Sequence, residues 1–131
     1  MNDEQKQMEF LRKKLNEFPE LKPLMDKLLN IDGKFIVSVP EPDLKKILAY
    51  GKRFDDYKVI FKPMIPCHCH NNVIKLCLEG KGRMATGWAL SDDGLWRQHS
   101  WLVKDKTIIE TTESRKRYFG IILNSKVYKT R

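Results

Sequence analysis

No stretch of this chain approaches the about eighteen consecutive apolar residues of a bilayer-spanning helix. The opening residues, MNDEQKQMEF, lack the apolar core of an export signal, so cytoplasmic residence is the expectation. Cysteine is scarce. Three residues, an odd number in a chain without an export signal, argue against a disulfide framework and leave thiols whose chemistry becomes the question. There is no internal repeat and no low-complexity linker. No RNP-like, zinc-finger or helix-turn-helix pattern organises the basic residues.

What is present suffices for one folded domain. Across 131 residues, 41% are hydrophobic, with six Phe, three Trp and four Tyr, which excludes a disordered chain. Lys and Arg number 25 against 17 acids, a net charge of +8. The basic residues are scattered through LRKKL, DLKKI, YGKRF and SRKRY, with a last cluster at Lys126, Lys129 and Arg131. Scattered charge reads as a solvated surface. Nucleic acid or an acidic protein is the competing partner class, and the nucleic-acid version lacks interleaved aromatics.

The order of elements follows from periodicity. Residues 4–17 carry Met8, Leu11 and Leu15 at helical spacing, and Pro19 ends that helix. A second helix gathers Leu21, Leu24, Met25, Leu28 and Leu29 and stops at Asp32–Gly33. KFIVSV reads as a strand, and a third helix follows from Asp43 toward Gly51. Beyond Tyr57 come a strand at YKVIF and a helix in CHCHNNVIKLCLEG that Gly80 stops. RMATGWAL, LWRQHSWLV, TIIETT and RYFGIIL then read as an antiparallel meander of about four strands, with Asp93–Gly94 a hairpin turn. The expected architecture is one α+β domain over 1–131. Residues 1–56 form a mainly helical N-terminal portion packed on a helix-plus-sheet core at 57–124.

The chemistry concentrates in IPCHCHNN, residues 65–72. Four consecutive helical residues point about 100° apart, so Cys67, His68, Cys69 and His70 cannot converge on one tetrahedral ion. No second pair is spaced to complete a zinc site, so neither metal nor cofactor is expected. A helix start offers something else. Its unpaired N–H groups and the positive end of its dipole favour a thiolate, and Cys67 and Cys69 both stand near that start, just after Pro66. Cys77 lies two turns in, on the apolar face, as an inert core residue.

A nucleophilic cysteine needs a base, and the base needs an orienting acceptor. His99, in WRQHSW, is the candidate base. Glu110, in mid-strand among apolar and β-branched residues, is out of place unless something uses it. A hairpin centred on Lys104–Asp105 would set His99 directly opposite Glu110. Read singly, His99 is equally a buried structural histidine and Glu110 a solvent-facing edge residue. Trp88, Trp96 and Trp101 read as core, with Trp96, near the turn, the candidate exception as a substrate platform.

A Cys opening a helix, followed by RMATGWAL, HSW and IIETT over roughly residues 66–112, resembles the core of the transglutaminase-like and papain-like cysteine enzymes. GWALSDDGLWRQHSW is also similar to small bacterial and phage proteins of that superfamily. The resemblance implies a Cys-bearing helix packed on an antiparallel sheet, with Cys69 as nucleophile, His99 as base and Glu110 as orienting acid. Cys69 keeps phase with the apolar helix face, and Cys67 is the runner-up. The family's usual third member is Asp or Asn followed by Pro; here Glu110 is one methylene longer and precedes Thr111. His68, Asn72 and Gln98 are candidate oxyanion donors. The implied activity is hydrolysis or acyl transfer at an amide, isopeptide or ester of a protein or peptide substrate. The alternative is a non-catalytic binding protein on the same scaffold.

Overall fold

A computed structural model describes residues 2–123. The basic cluster expected at Lys126, Lys129 and Arg131 lies outside the described residues. Helix α1 (Asp3–Glu17) starts at a reciprocal cap, in which Asn2 accepts from the Gln5 backbone at 2.8 Å and Gln5 accepts from the Asn2 backbone at 3.0 Å. A 3-10 turn at Pro19–Leu21 leads into α2 (Lys22–Leu29), and α3 spans Leu44–Tyr50. Leu11, Leu15, Leu21, Leu24, Met25, Leu28 and Ile47 bury the apolar sides of this layer.

The second half supplies α4 (Cys69–Leu78) and four strands: β4 (Arg83–Leu90), β5 (Leu95–Lys104), β6 (Thr107–Glu110) and β7 (Arg117–Ile122). Three short strands precede them, β1 (Phe35–Ile36), β2 (Lys52–Arg53) and β3 (Lys58–Phe61). Among the described residues the architecture is α+β, with four helices and one mixed sheet in the order β2-β7-β4-β5-β6-β3. The four-strand meander is corrected: β4, β5 and β6 do run antiparallel in sequence order, but β7 crosses back to pair with β4. Nor is the sheet purely antiparallel, since β1 lies parallel on β5 and β3 parallel on β6. The N-terminal portion therefore contributes two strands as well as helices, because β2 pairs with β7.

Side-chain alternation along β4, β5 and β7 separates two apolar clusters. One face receives the helices, with Val73, Leu76 and Cys77 of α4 against Met84, Trp96, Leu102 and Ile121. The other face curls over a smaller cluster of Phe54, Ala85, Ala89, Trp101, Val103, Ile108 and Tyr118. Small residues permit that curl. Gly87 of β4 stands between His99 of β5 and Gly120 of β7, and a Cβ on Gly87 would collide with the Phe119 carbonyl oxygen. All three tryptophans are fully buried, which corrects the exception made for Trp96; its Nε1 donates to the Asp32 carbonyl at 2.9 Å.

Candidate active site

The site forms where the sheet splits. Along one edge β5 is paired throughout with β4; along the other, β1 takes Leu95–Trp96 and β6 takes Leu102–Lys104. Residues 97–101 thus have no strand partner on that second edge among the described residues. The N-terminus of α4 packs against this stretch of β5, so that the backbone N–H groups of Ser100 and His70 act on the sulfur of Cys69, favouring its thiolate.

Cys69 is the first residue of α4, as its position after Pro66 and before the apolar face requires. Cys67 precedes the helix, exposed, with φ at 62°, a left-handed conformation uncommon for a residue with a side chain. Asn72 fixes the approach. Its Nδ2 donates to the Ile65 carbonyl at 2.9 Å and to Thr111 Oγ1 at 3.3 Å, tying the loop before α4 to the segment just after Glu110. Buried and committed to those partners, Asn72 is not the oxyanion donor that its sequence position suggested. His68 is exposed and also drops out, because it does not line the cavity described below.

His99 and Glu110 are 1% and 0% exposed, so neither is a solvent-facing residue. His99 Nε2 lies 2.8 Å from Glu110 Oε1 and 3.0 Å from Oε2. The opposed register expected for them is corrected. The ladder pairs Leu102 with Ile109 and Val103 with Ile108, and the turn is at Asp105–Lys106, with Asp105 at φ 55°. Extended, that register puts Glu110 beside the position of Trp101, so His99 and Glu110 meet as diagonal neighbours on one face.

The carboxylate is saturated with donors. Oε1 also accepts from the Tyr118 hydroxyl at 2.7 Å, and Oε2 accepts from Thr112 N at 3.0 Å and Thr112 Oγ1 at 3.1 Å. Burial alone would raise the carboxyl, but the His99, Thr112 and Tyr118 hydrogen bonds and the imidazolium charge outweigh it and bring Glu110 from 4.5 to about 2. Tyr118 and Thr112 escaped the sequence reading. Tyr118 comes from β7, brought beside His99 across side-chain-free Gly87, with ring centroids 6.4 Å apart.

With Nε2 held by Glu110, His99 also interacts with the Cys69 thiol, and the two line one cavity. Burial works to lower His99, yet the hydrogen bond with Cys69 and the bond and charge of Glu110 raise it overall, against a small opposing effect of Arg115. Burial raises the Cys69 thiol, but the His99 hydrogen bond and charge, then the Ser100 and His70 N–H groups, carry it below the ordinary thiol value. Cys77 is pushed up by burial, in keeping with its core position. The next residue, His70, is lowered by burial and by the charge of His99, and its Nδ1 hydrogen-bonds with the Ser100 hydroxyl.

A cavity of about 400 Å³ opens onto the sulfur, lined by Cys67, Cys69, Gln98, His99 and the polar residues Arg97, Thr112, Glu113 and Arg115. Among the described residues no three His, Cys, Asp or Glu side chains cluster so as to hold a metal ion. No described helix is long and apolar enough to cross a membrane. No protein-family model, curated protein or solved structure matches the chain.

Proposed function

We propose that this protein is a cysteine hydrolase or acyltransferase with a papain-like or transglutaminase-like core, acting on an amide, isopeptide or ester carbonyl of a protein or peptide. One observation carries the reading: a helix-start thiol and an imidazole line the same cavity and interact electrostatically, and a buried carboxylate holds that imidazole at 2.8 Å. The pair is set toward thiolate and imidazolium, the reactive form of a cysteine nucleophile.

In this reading the Cys69 thiolate attacks the carbonyl carbon, forming the S–C bond. The tetrahedral oxyanion collapses, the C–N or C–O bond breaks, and the leaving amine or alcohol takes the proton carried by His99. His99, now neutral, accepts a proton from water or an acceptor amine that attacks the thioester, and the thiolate departs. Glu110 remains ionised throughout, fixing the ring and favouring its protonated form. The backbone N–H of Cys69, in the unpaired first turn of α4, is the donor best situated for the oxyanion. Gln98 lines the cavity, with its Nε2 also on the Pro40 carbonyl at 3.0 Å.

The test is acylation by p-nitrophenyl acetate. A burst of about one equivalent of nitrophenolate, with an acetyl adduct on the peptide bearing Cys69, is expected from the native chain. Cys69→Ala and His99→Ala should abolish the burst. A native protein that stays unacylated, or is acetylated equally on Cys67 and Cys77, would refute the proposal.

A further inference from the structure

Among the described residues two guanidinium groups line the active-site cavity, and they are paired differently. Arg97 places Nη1 and Nη2 on the two oxygens of Asp93, at 3.1 and 2.9 Å, and that fork-to-fork pair occupies it. Arg115 differs. Its side chain is 7% exposed, Nη1 donates to Ser91 Oγ at 3.1 Å, and Nη2 meets Glu113 Oε1 at 3.1 Å. Its Nε is buried with no hydrogen-bond partner among the described residues.

Nε–H and one N–H of Nη2 form the side-on fork of a guanidinium, the face that takes both oxygens of a carboxylate. In Arg115 that face is half used. Glu113 puts one oxygen on Nη2, and its own side chain is 64% exposed, so it can yield its place. A buried, charged donor left unpaired is destabilising, and an arriving acceptor would relieve it.

We infer that Arg115 is the substrate-reading residue of this cavity, taking through its Nε–H a carboxylate of the substrate that lies beside the carbonyl attacked by Cys69. The inference rests on the cysteine-enzyme reading and narrows it to substrates bearing an anionic carboxylate near the reacting bond, such as a chain-terminal or side-chain carboxylate. The cavity, at about 400 Å³, admits a group of only a few residues. The one acid that lines it among the described residues, Glu113, stands where the incoming carboxylate would compete with it.

Two alkylating reagents of nearly equal size test this, iodoacetate and iodoacetamide, with each rate read at Cys69. Their ratio cancels any change in thiolate fraction that a variant causes through His99. Arg115→Gln should lower the iodoacetate-to-iodoacetamide ratio about tenfold, the worth of one charge-assisted hydrogen bond. Arg115→Lys keeps the charge but not the fork, and should also lower it. A ratio that survives in the Lys variant would mean that charge alone acts, and would overturn the inference. A second measurement needs no substitution: N-acetylglycine should protect Cys69 of the native protein saturably, and N-acetylglycinamide should not. Equal protection by both, or by neither, overturns it too. These failures differ from failure of the cysteine-enzyme reading, in which Cys69 would react slowly with both reagents.

Discussion

Replacing Glu110 by Gln removes one charge while keeping a carbonyl oxygen where His99 Nε2 now finds Oε1 at 2.8 Å. The displacement of the carboxyl from 4.5 to about 2 corresponds to about 3 kcal/mol in favour of the ionised form. His99 shares that stabilisation with Thr112 and Tyr118, so the imidazole accounts for part of it, on the order of 1 to 2 kcal/mol. By reciprocity the imidazolium loses the same amount in the variant, and the thiolate loses its counter-ion with it. At neutral pH the reactive pair should then be populated about tenfold less. The assay is the rate of iodoacetamide alkylation at Cys69 from pH 4 to 10, with thermal melting to confirm folding. The native profile should rise below the ordinary thiol range, and that of Glu110→Gln about one pH unit higher. Coincident profiles from two folded proteins would refute the reasoning.

Tyr118→Phe deletes the buried donor 2.7 Å from Glu110 Oε1 and should cost about 1 to 2 kcal/mol by denaturant melting, with a smaller upward move of the alkylation profile than Glu110→Gln gives. Acid titration should follow linkage. Glu110 is depressed on folding, so its contribution is complete above 4.5 and is lost as pH falls toward about 2, whereas His99 is raised, so its contribution is complete below 6.5 and lost as pH rises through its folded value. Melts across pH 2 to 5 should therefore be shallower in Glu110→Gln than in the native chain. Cys67→Val should destabilise by about 1 to 2 kcal/mol, because a β-branched residue resists φ 62°, while Cys67→Gly should not. Gly87→Ala should unfold the protein or cost about 3 kcal/mol, since the added methyl strikes the Phe119 carbonyl and parts β4 from β7.

The three side chains that the sequence singled out do meet, although the register drawn between them was wrong by two residues. Alternation explains why that error did no harm. Side chains repeat every second residue along a strand, so an even slip keeps His99 and Glu110 on the same face, and an odd one would have parted them. The slip came from the turn, where Asp105 adopts a left-handed conformation that an Asp tolerates and the sequence alone does not announce. The start of α4 was legible because Pro66 and the apolar phase of Val73, Leu76 and Cys77 are local signals. Tyr118 and Arg115 were not, because β7 reaches the site only by crossing back to β4, a non-local pairing that no short segment records. Likewise β1 and β3, two and four residues long, draw their parallel partners from far along the chain.

The central claim is that the folded chain activates one thiol of three. Peptide-resolved alkylation by iodoacetamide at pH 6.5 tests it most directly. Cys69 should be modified at least tenfold faster than exposed Cys67 and faster still than buried Cys77, and His99→Ala should erase that lead. If Cys67 reacts first by virtue of its exposure, and the histidine substitution changes nothing at Cys69, the account is contradicted.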